Sequence, residues 1–123
     1  NEGKLSRDFT FIDDIVAGIV KILDQGPQPV APEVAPFQVY NIGNHQPINL
    51  LKFIETIETV LGQTTEKQML PMQPGDVVQT WADGSELERD YGYRPRTGLR
   101  EGIERFVGWY RAYYNVEDSQ PVS

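Results

Sequence analysis

Three observations predict an α/β fold for this sequence. Short runs rich in aromatic and β-branched residues alternate with longer runs whose apolar residues recur at helical spacing. Capping residues and glycines bound the helical runs, and a proline-rich spacer separates the first helix from the strand that follows. At 123 residues the chain has the length of one domain, a size that buries about two thirds of its unfolded surface.

Taken in order, Phe9 and Phe11 alternate with Thr10 as in a short half-buried strand. Asp13 or Asp14 suits a helix N-cap, because a carboxylate there accepts from orphan backbone N–H groups and complements the positive end of the dipole. Ile15, Val16, Ile19, Val20 and Leu23 form one stripe of an amphipathic helix ending near Gly26. The spacer GPQPVAPEVAP, residues 26 to 36, carries four prolines that fix φ and remove donors, which favours an extended surface loop. FQVYNIG, residues 37 to 43, predicts a buried strand closing on a turn. Asn49 caps a second helix with Leu50, Leu51, Ile54, Ile57, Val60 and Leu61 on its apolar face and Gly62 at its C-cap.

Further on, KQMLPM suits a short strand, Pro74-Gly75-Asp76 a turn, and Thr80 to Ala82 one more strand. Asp83 with Glu86, or Ser85 with Glu88, has capping-box spacing for a short helix to about Tyr91. Leu99, Ile103, Phe106, Val107 and Tyr110 stripe a last helix from about Thr97 to Tyr114. The aromatic set Trp109, Tyr110, Tyr113 and Tyr114, at helical spacing, reads as core packing, and residues 115–123 as a frayed polar tail.

Composition narrows the function. Eleven basic against 18 acidic side chains leave a net charge of −7, which argues against nucleic acid or an anionic membrane as partner. With no cysteine there is neither a disulfide framework nor a thiolate metal site. No apolar run approaches the roughly 20 residues of a membrane span, and the chain reads as cytoplasmic. The lone histidine, His45, cannot anchor a metal site or a nucleophilic triad and reads as a solvated loop residue. No two glycines lie two or three residues apart, so no G-x-G-x-x-G cradle exists, and no tyrosine is followed four residues later by lysine. Asp13 and Asp14 are paired carboxylates better suited to helix capping than to acid–base work. No catalytic group and no metal site can be assembled.

NEGKLSRDFTFIDDIVAGIVKIL, then VYNIGN, LPMQPGDV, WADGSELERDYGYRP and EGIERFVGWYRAYY, in that order, resemble the C-terminal third of the extended short-chain dehydrogenase/reductase family of nucleotide-sugar enzymes. The likeness runs from Asn1 to about Tyr114 and begins inside an N-x-G-x-x-x-R-D-F motif, as Asn1, Gly3, Arg7, Asp8 and Phe9. The resemblance implies a C-terminal fragment of an extended Rossmann-type enzyme, with mixed short strands and about four helices. Residues 1–114 would be the UDP-sugar-binding region together with part of the Rossmann periphery. It implies for the parent protein C4 inversion of a UDP-sugar through a 4-keto intermediate, with hydride taken up and returned by NAD. It also implies that NAD is held upstream, that the chain alone is inactive, and that any homodimer forms through upstream helices.

The resemblance assigns Arg7 to the diphosphate, a task suited to a permanently charged fork of donors; pairing with a neighbouring surface carboxylate is the plainer alternative. It assigns Asp76 to the ribose hydroxyls, with Gly75 allowing close backbone approach; the plainer alternative is an ordinary turn aspartate. At Gln73, three residues before Asp76, some 4-epimerases carry a second phosphate-binding arginine. Glutamine donates without neutralising, so Met72-Gln73-Pro74-Gly75-Asp76 resembles the glucuronate branch and leaves the second phosphate contact unassigned. Other readings stay open: a different UDP-sugar epimerase, a decarboxylase, a dehydratase, or a non-catalytic module binding a nucleotide-sugar or a protein.

Overall fold

A computed structural model describes residues 2–27 and 31–116. Its elements are β1 (Ser6–Asp8), α1 (Ile12–Gln25), β2 (Pro47–Asn49), α2 (Leu50–Leu61), α3 (Ser85–Tyr91) and α4 (Leu99–Tyr114). β1 and β2 pair antiparallel with Arg7 opposite Ile48. The other edge of β1 meets residues 78–80: Ser6 N donates to Val78 O at 2.9 Å, Thr80 N donates to Ser6 O at 3.3 Å, and Ser6 bridges Gln79 in parallel. The first strand is thus gripped from both sides by segments far away in sequence.

The helices follow their apolar periodicity. In α2, Asn49 Oδ1 accepts from Leu51 N at 2.9 Å and Gly62 ends the helix in the left-handed region at φ 69°, as capping chemistry predicts. α2 packs on α4. Between them opens an apolar cleft of about 640 Å³ lined by Phe9, Phe53, Ile57, Ile103, Phe106 and Val107 among others. Phe9 stacks on Phe53 with centroids 3.9 Å apart, and Arg105 lies over the Phe11 ring at 4.4 Å. These contacts fasten the stretch after β1 to both helices. The buried hydrophobic residues are Leu87 and Tyr91 of α3 and Ile103 and Val107 of α4. Tyr40 meets Tyr91 edge-on at 5.3 Å; partial burial first, and then its hydrogen bond to Asp90, push its pKa up to about 12.

Several expectations are corrected. The strand at the N-terminal end is Ser6–Asp8, not Phe9–Phe11, because backbone partners exist for the former while Phe9 stacks on Phe53 and Phe11 lies under Arg105. FQVYNIG forms no strand and is mostly exposed, Phe37 to 80% and Val39 to 65%, with burial only at Gly43. A strand needs a paired neighbour, and among the described residues none lies alongside. KQMLPM and Thr80–Ala82 likewise form no strand: Leu70 O accepts from Glu2 N at 2.9 Å, and Thr80 follows the single bridge at Gln79. Phe11, not Asp13 or Asp14, holds the N-cap of α1, without a side-chain cap. Asp13 pairs with Arg105, while the Asp14 carboxylate accepts from Arg96 N at 3.2 Å and Thr97 N at 2.9 Å. Both aspartates serve the approach to α4 instead. No capping box opens α3: Gly84 is its N-cap, and Asp83 Oδ1 accepts from Ser85 N at 3.0 Å. In the proline-rich spacer, exposed residues 31–36 contain a turn closed by Val34 N to Ala31 O at 3.0 Å, and residues 28–30 lie outside the described residues. Asn115 ends α4 at φ 51°, and residues 117–123 also lie outside the description.

Much apolar surface stays open. Val16, Ile19, Val20 and Leu23, the stripe of α1, are exposed, Leu23 to 76%. Trp109, Tyr110, Tyr113 and Tyr114 are exposed as well, a correction to their reading as core, because α4 turns Ile103 and Val107 inward and leaves the aromatics stacked on one another. The accessible surface of 9306 Å² exceeds the roughly 6,700 Å² of a compact monomer of 14.0 kDa.

Candidate functional site

Successive side chains of a strand point to opposite faces, and in β1 that separates Arg7 from Asp8. Arg7 Nη1 donates to Ser6 O at 2.9 Å and Val78 O at 3.4 Å, and Nη2 donates to Asp76 Oδ1 at 2.8 Å. The two sequence-predicted contacts, 69 residues apart, are thereby brought into one ion pair with side chains 27% and 32% exposed. Gly75 adopts φ +84°, a conformation that favours glycine, and Asp76 N closes the turn on Gln73 O at 3.2 Å. Val77 N donates to Asp76 Oδ1 at 2.8 Å, which fixes the carboxylate over its own backbone. Gln73 contributes its carbonyl to this turn and its side chain stays exposed.

Asp8 has a role that sequence reasoning missed. Its Oδ1 accepts from Asn44 N at 3.2 Å and Gln46 N at 3.5 Å; its Oδ2 accepts from His45 N at 3.1 Å and Ala82 N at 3.2 Å. One carboxylate thus folds the Tyr40-to-Gln46 loop onto β1 and ties residue 82 to both. Gly43 lies against it, where a Cβ would come 2.5 Å from Ala82 Cβ and 2.7 Å from Asp8 Oδ2. The place of the aspartate directly after Arg7 on a short strand was the available signal, but its partners lie 36 to 74 residues away.

His45 is not merely solvated, which corrects the expectation. At φ +59° its Nε2 accepts from Gly84 N, and Asp83 Oδ1 lies 3.5 Å away. Hydrogen bonds from Ser85, with lesser help from His45, hold the Asp83 carboxyl below the usual carboxylate range. Around Arg7 and Asp8 these loops bound an open cleft of about 370 Å³, with Asn41, Gly43, Trp81 and Asp83 on its walls.

Chemically, the cleft offers the Arg7 guanidinium, itself paired with Asp76, and backbone fixed by Asp8. Among the described residues no group of three or more His, Cys, Asp or Glu is placed to hold a metal ion, and no helix is long and apolar enough to cross a membrane. The chain has no pair of glycines two or three apart of the kind that lets a pyrophosphate approach a strand-to-helix turn.

An arginine on a β-strand is thus paired with an aspartate in a Pro-Gly-Asp turn beside an open cleft. A family model described as GDP-mannose 4,6 dehydratase matches residues 1–106, and the chain belongs to the extended short-chain dehydrogenase/reductase family of NAD-dependent nucleotide-sugar epimerases and dehydratases. Among relatives, a probable UDP-glucuronate 4-epimerase of Rhizobium meliloti is 44% identical over 124 residues, covering 92% of this chain and 36% of that protein. UDP-glucuronate 4-epimerase 6 of Arabidopsis thaliana is 37% identical over 120 residues, covering 93% of this chain and 26% of that protein. The crystal structure of UDP-glucuronic acid 4-epimerase from Bacillus cereus with UDP-glucuronic acid and NAD is similar at a TM-score of 0.76 and 31% identity, over 93% of this chain and 34% of that one. The chain therefore spans about a third of the length of such relatives.

Proposed function

We propose that this chain is the C-terminal substrate-binding part of an NAD-dependent UDP-sugar epimerase, with UDP-glucuronate as the substrate and inversion at C4 as the reaction. The observation that carries the reading is the convergence of Arg7 and Asp76 at 2.8 Å, with Arg7 on the wall of the cleft. Family position and chemistry meet there, since a forked cation suits a diphosphate and a carboxylate suits the vicinal hydroxyls of a ribose. Arg7 would bind and orient the diphosphate, Asp76 the ribose, and Gly75 would let the backbone of the turn come close.

NAD would supply the hydride acceptor and donor, and would be held mainly by the roughly two thirds of the relatives' length that this chain does not span. The exposed stripe of α1, the exposed Phe37 and Val39 and the open cleft between α2 and α4 support the same division, because they offer apolar faces for that part to cover. The chain alone then carries no catalytic group.

The test is calorimetric titration of UDP into the full-length protein. Arg7→Ala is expected to cost about 1.5–3 kcal/mol, the value of a hydrogen bond to a charged group, or about ten- to a hundred-fold in Kd. Equal affinities in the two proteins would remove Arg7 from the site and with it the reading.

A further inference from the structure

We propose, on the reading that the cleft takes a UDP-sugar, that Arg7 and Asp76 form a latch. Each neutralises the other in this structure, and a nucleotide diphosphate binds by parting them. The pair is close, at 2.8 Å, and about three-tenths of each side chain is exposed, so a ligand can reach both members. Each is also anchored without the other. Arg7 Nη1 is held by the carbonyls of Ser6 and Val78, and Asp76 Oδ1 by Val77 N. Breaking the ion pair therefore leaves each group with an anchor of its own.

The electrostatics follow from that arrangement. While paired, the guanidinium presents an incoming diphosphate with no net charge, and the carboxylate beside it repels the phosphate oxygens. Once parted, the guanidinium has its Nη2 donor free for phosphate and the carboxylate accepts from the ribose hydroxyls, so that the two halves of one ligand satisfy two groups that had satisfied each other. A ligand with only one half leaves the other member stranded. The latch thus favours an intact nucleoside diphosphate over inorganic phosphates or a bare nucleoside, and it predicts that the two halves of UDP respond with opposite signs to the loss of the Asp76 charge.

The experiment uses the full-length protein as wild type, Asp76→Asn and Arg7→Ala, titrated with UDP, with pyrophosphate as the half lacking ribose, and with uridine as the half lacking phosphate. Asp76→Asn is expected to bind pyrophosphate about three- to ten-fold more tightly, the scale of removing one half-exposed opposing charge, and to bind uridine more weakly. Asp76→Ser, also uncharged, must repeat the gain, and an unchanged near-ultraviolet circular dichroism spectrum shows that both variants are folded. Pyrophosphate affinity that is unchanged, lower or unmeasurable in Asp76→Asn overturns the latch; if Arg7→Ala still weakens UDP, the nucleotide cleft itself stands. UDP bound alike by all three proteins, or by none, removes the cleft and the latch together.

Discussion

Replacing Asp8 should loosen the floor of the cleft without touching its charged edge. The carboxylate accepts from four backbone N–H groups at 3.1, 3.2, 3.2 and 3.5 Å. Hydrogen bonds to a charged group contribute up to about 3 kcal/mol each at short range, but these are long and water can reach a half-exposed site, so about 1 kcal/mol for each of the nearest three is the better figure. Asp8→Ala is then expected to cost about 2–3 kcal/mol, since lost hydrogen bonds in one cluster do not add fully. Asp8→Asn should cost nearly as much, because its oxygen can serve one pair of donors while its amide nitrogen faces the other pair. Urea unfolding of the full-length protein followed by tryptophan fluorescence measures the loss; Trp81 stands next to Ala82, one of the four donors. UDP affinity should fall too, with Arg7 untouched. An Asp8→Ala protein that unfolds at the wild-type urea concentration would refute the claim that this carboxylate organises the loops.

Gly43→Ala puts a methyl group 2.5 Å from Ala82 Cβ, and is expected to destabilise by about 1–3 kcal/mol, as overpacking does; a Tm equal to wild type would show that the loop yields freely. Glu58 at the end of α2 accepts from Lys67 and Thr65, and those bonds, Lys67 first, lower its pKa to about 2. A carboxyl depressed on folding adds stability above its unfolded pKa and loses it as pH falls through the folded value. Glu58→Gln should therefore lower Tm at pH 7, and the gap to wild type should shrink between about pH 4.5 and pH 2. A gap constant over that range in thermal melts would exclude the proposed ionic contribution.

The helices were legible in the sequence because they are local. Asn49 caps α2 with an acceptor two residues from its donor, and Gly62 reverses the chain at its end. The β-branched and aromatic residues at 37–43 were equally visible, but a strand exists only beside another, and no described residue pairs with them. Conversely β1, Ser-Arg-Asp, has no apolar alternation and owes its form to partners some 40 and 70 residues downstream. The site divides the same way. Arg7 and Asp76 were visible as positions in a family pattern, whereas their contact, the fan of N–H groups on Asp8 and the tie from His45 to Gly84 are long-range and left no periodic mark.

The 69 residues between Arg7 and Asp76 also set when this site can exist. Closing a flexible loop of that length costs about 4 kcal/mol in the length-dependent part of chain entropy alone, well above the 1 kcal/mol or less typical of an exposed ion pair. The pair cannot draw its own ends together. It forms only after helix packing and the junction of β1 with residues 78–80 have already spent that entropy, so nucleotide affinity would report on the final stage of folding, and a chain still short of residue 76 during synthesis would have no site to offer.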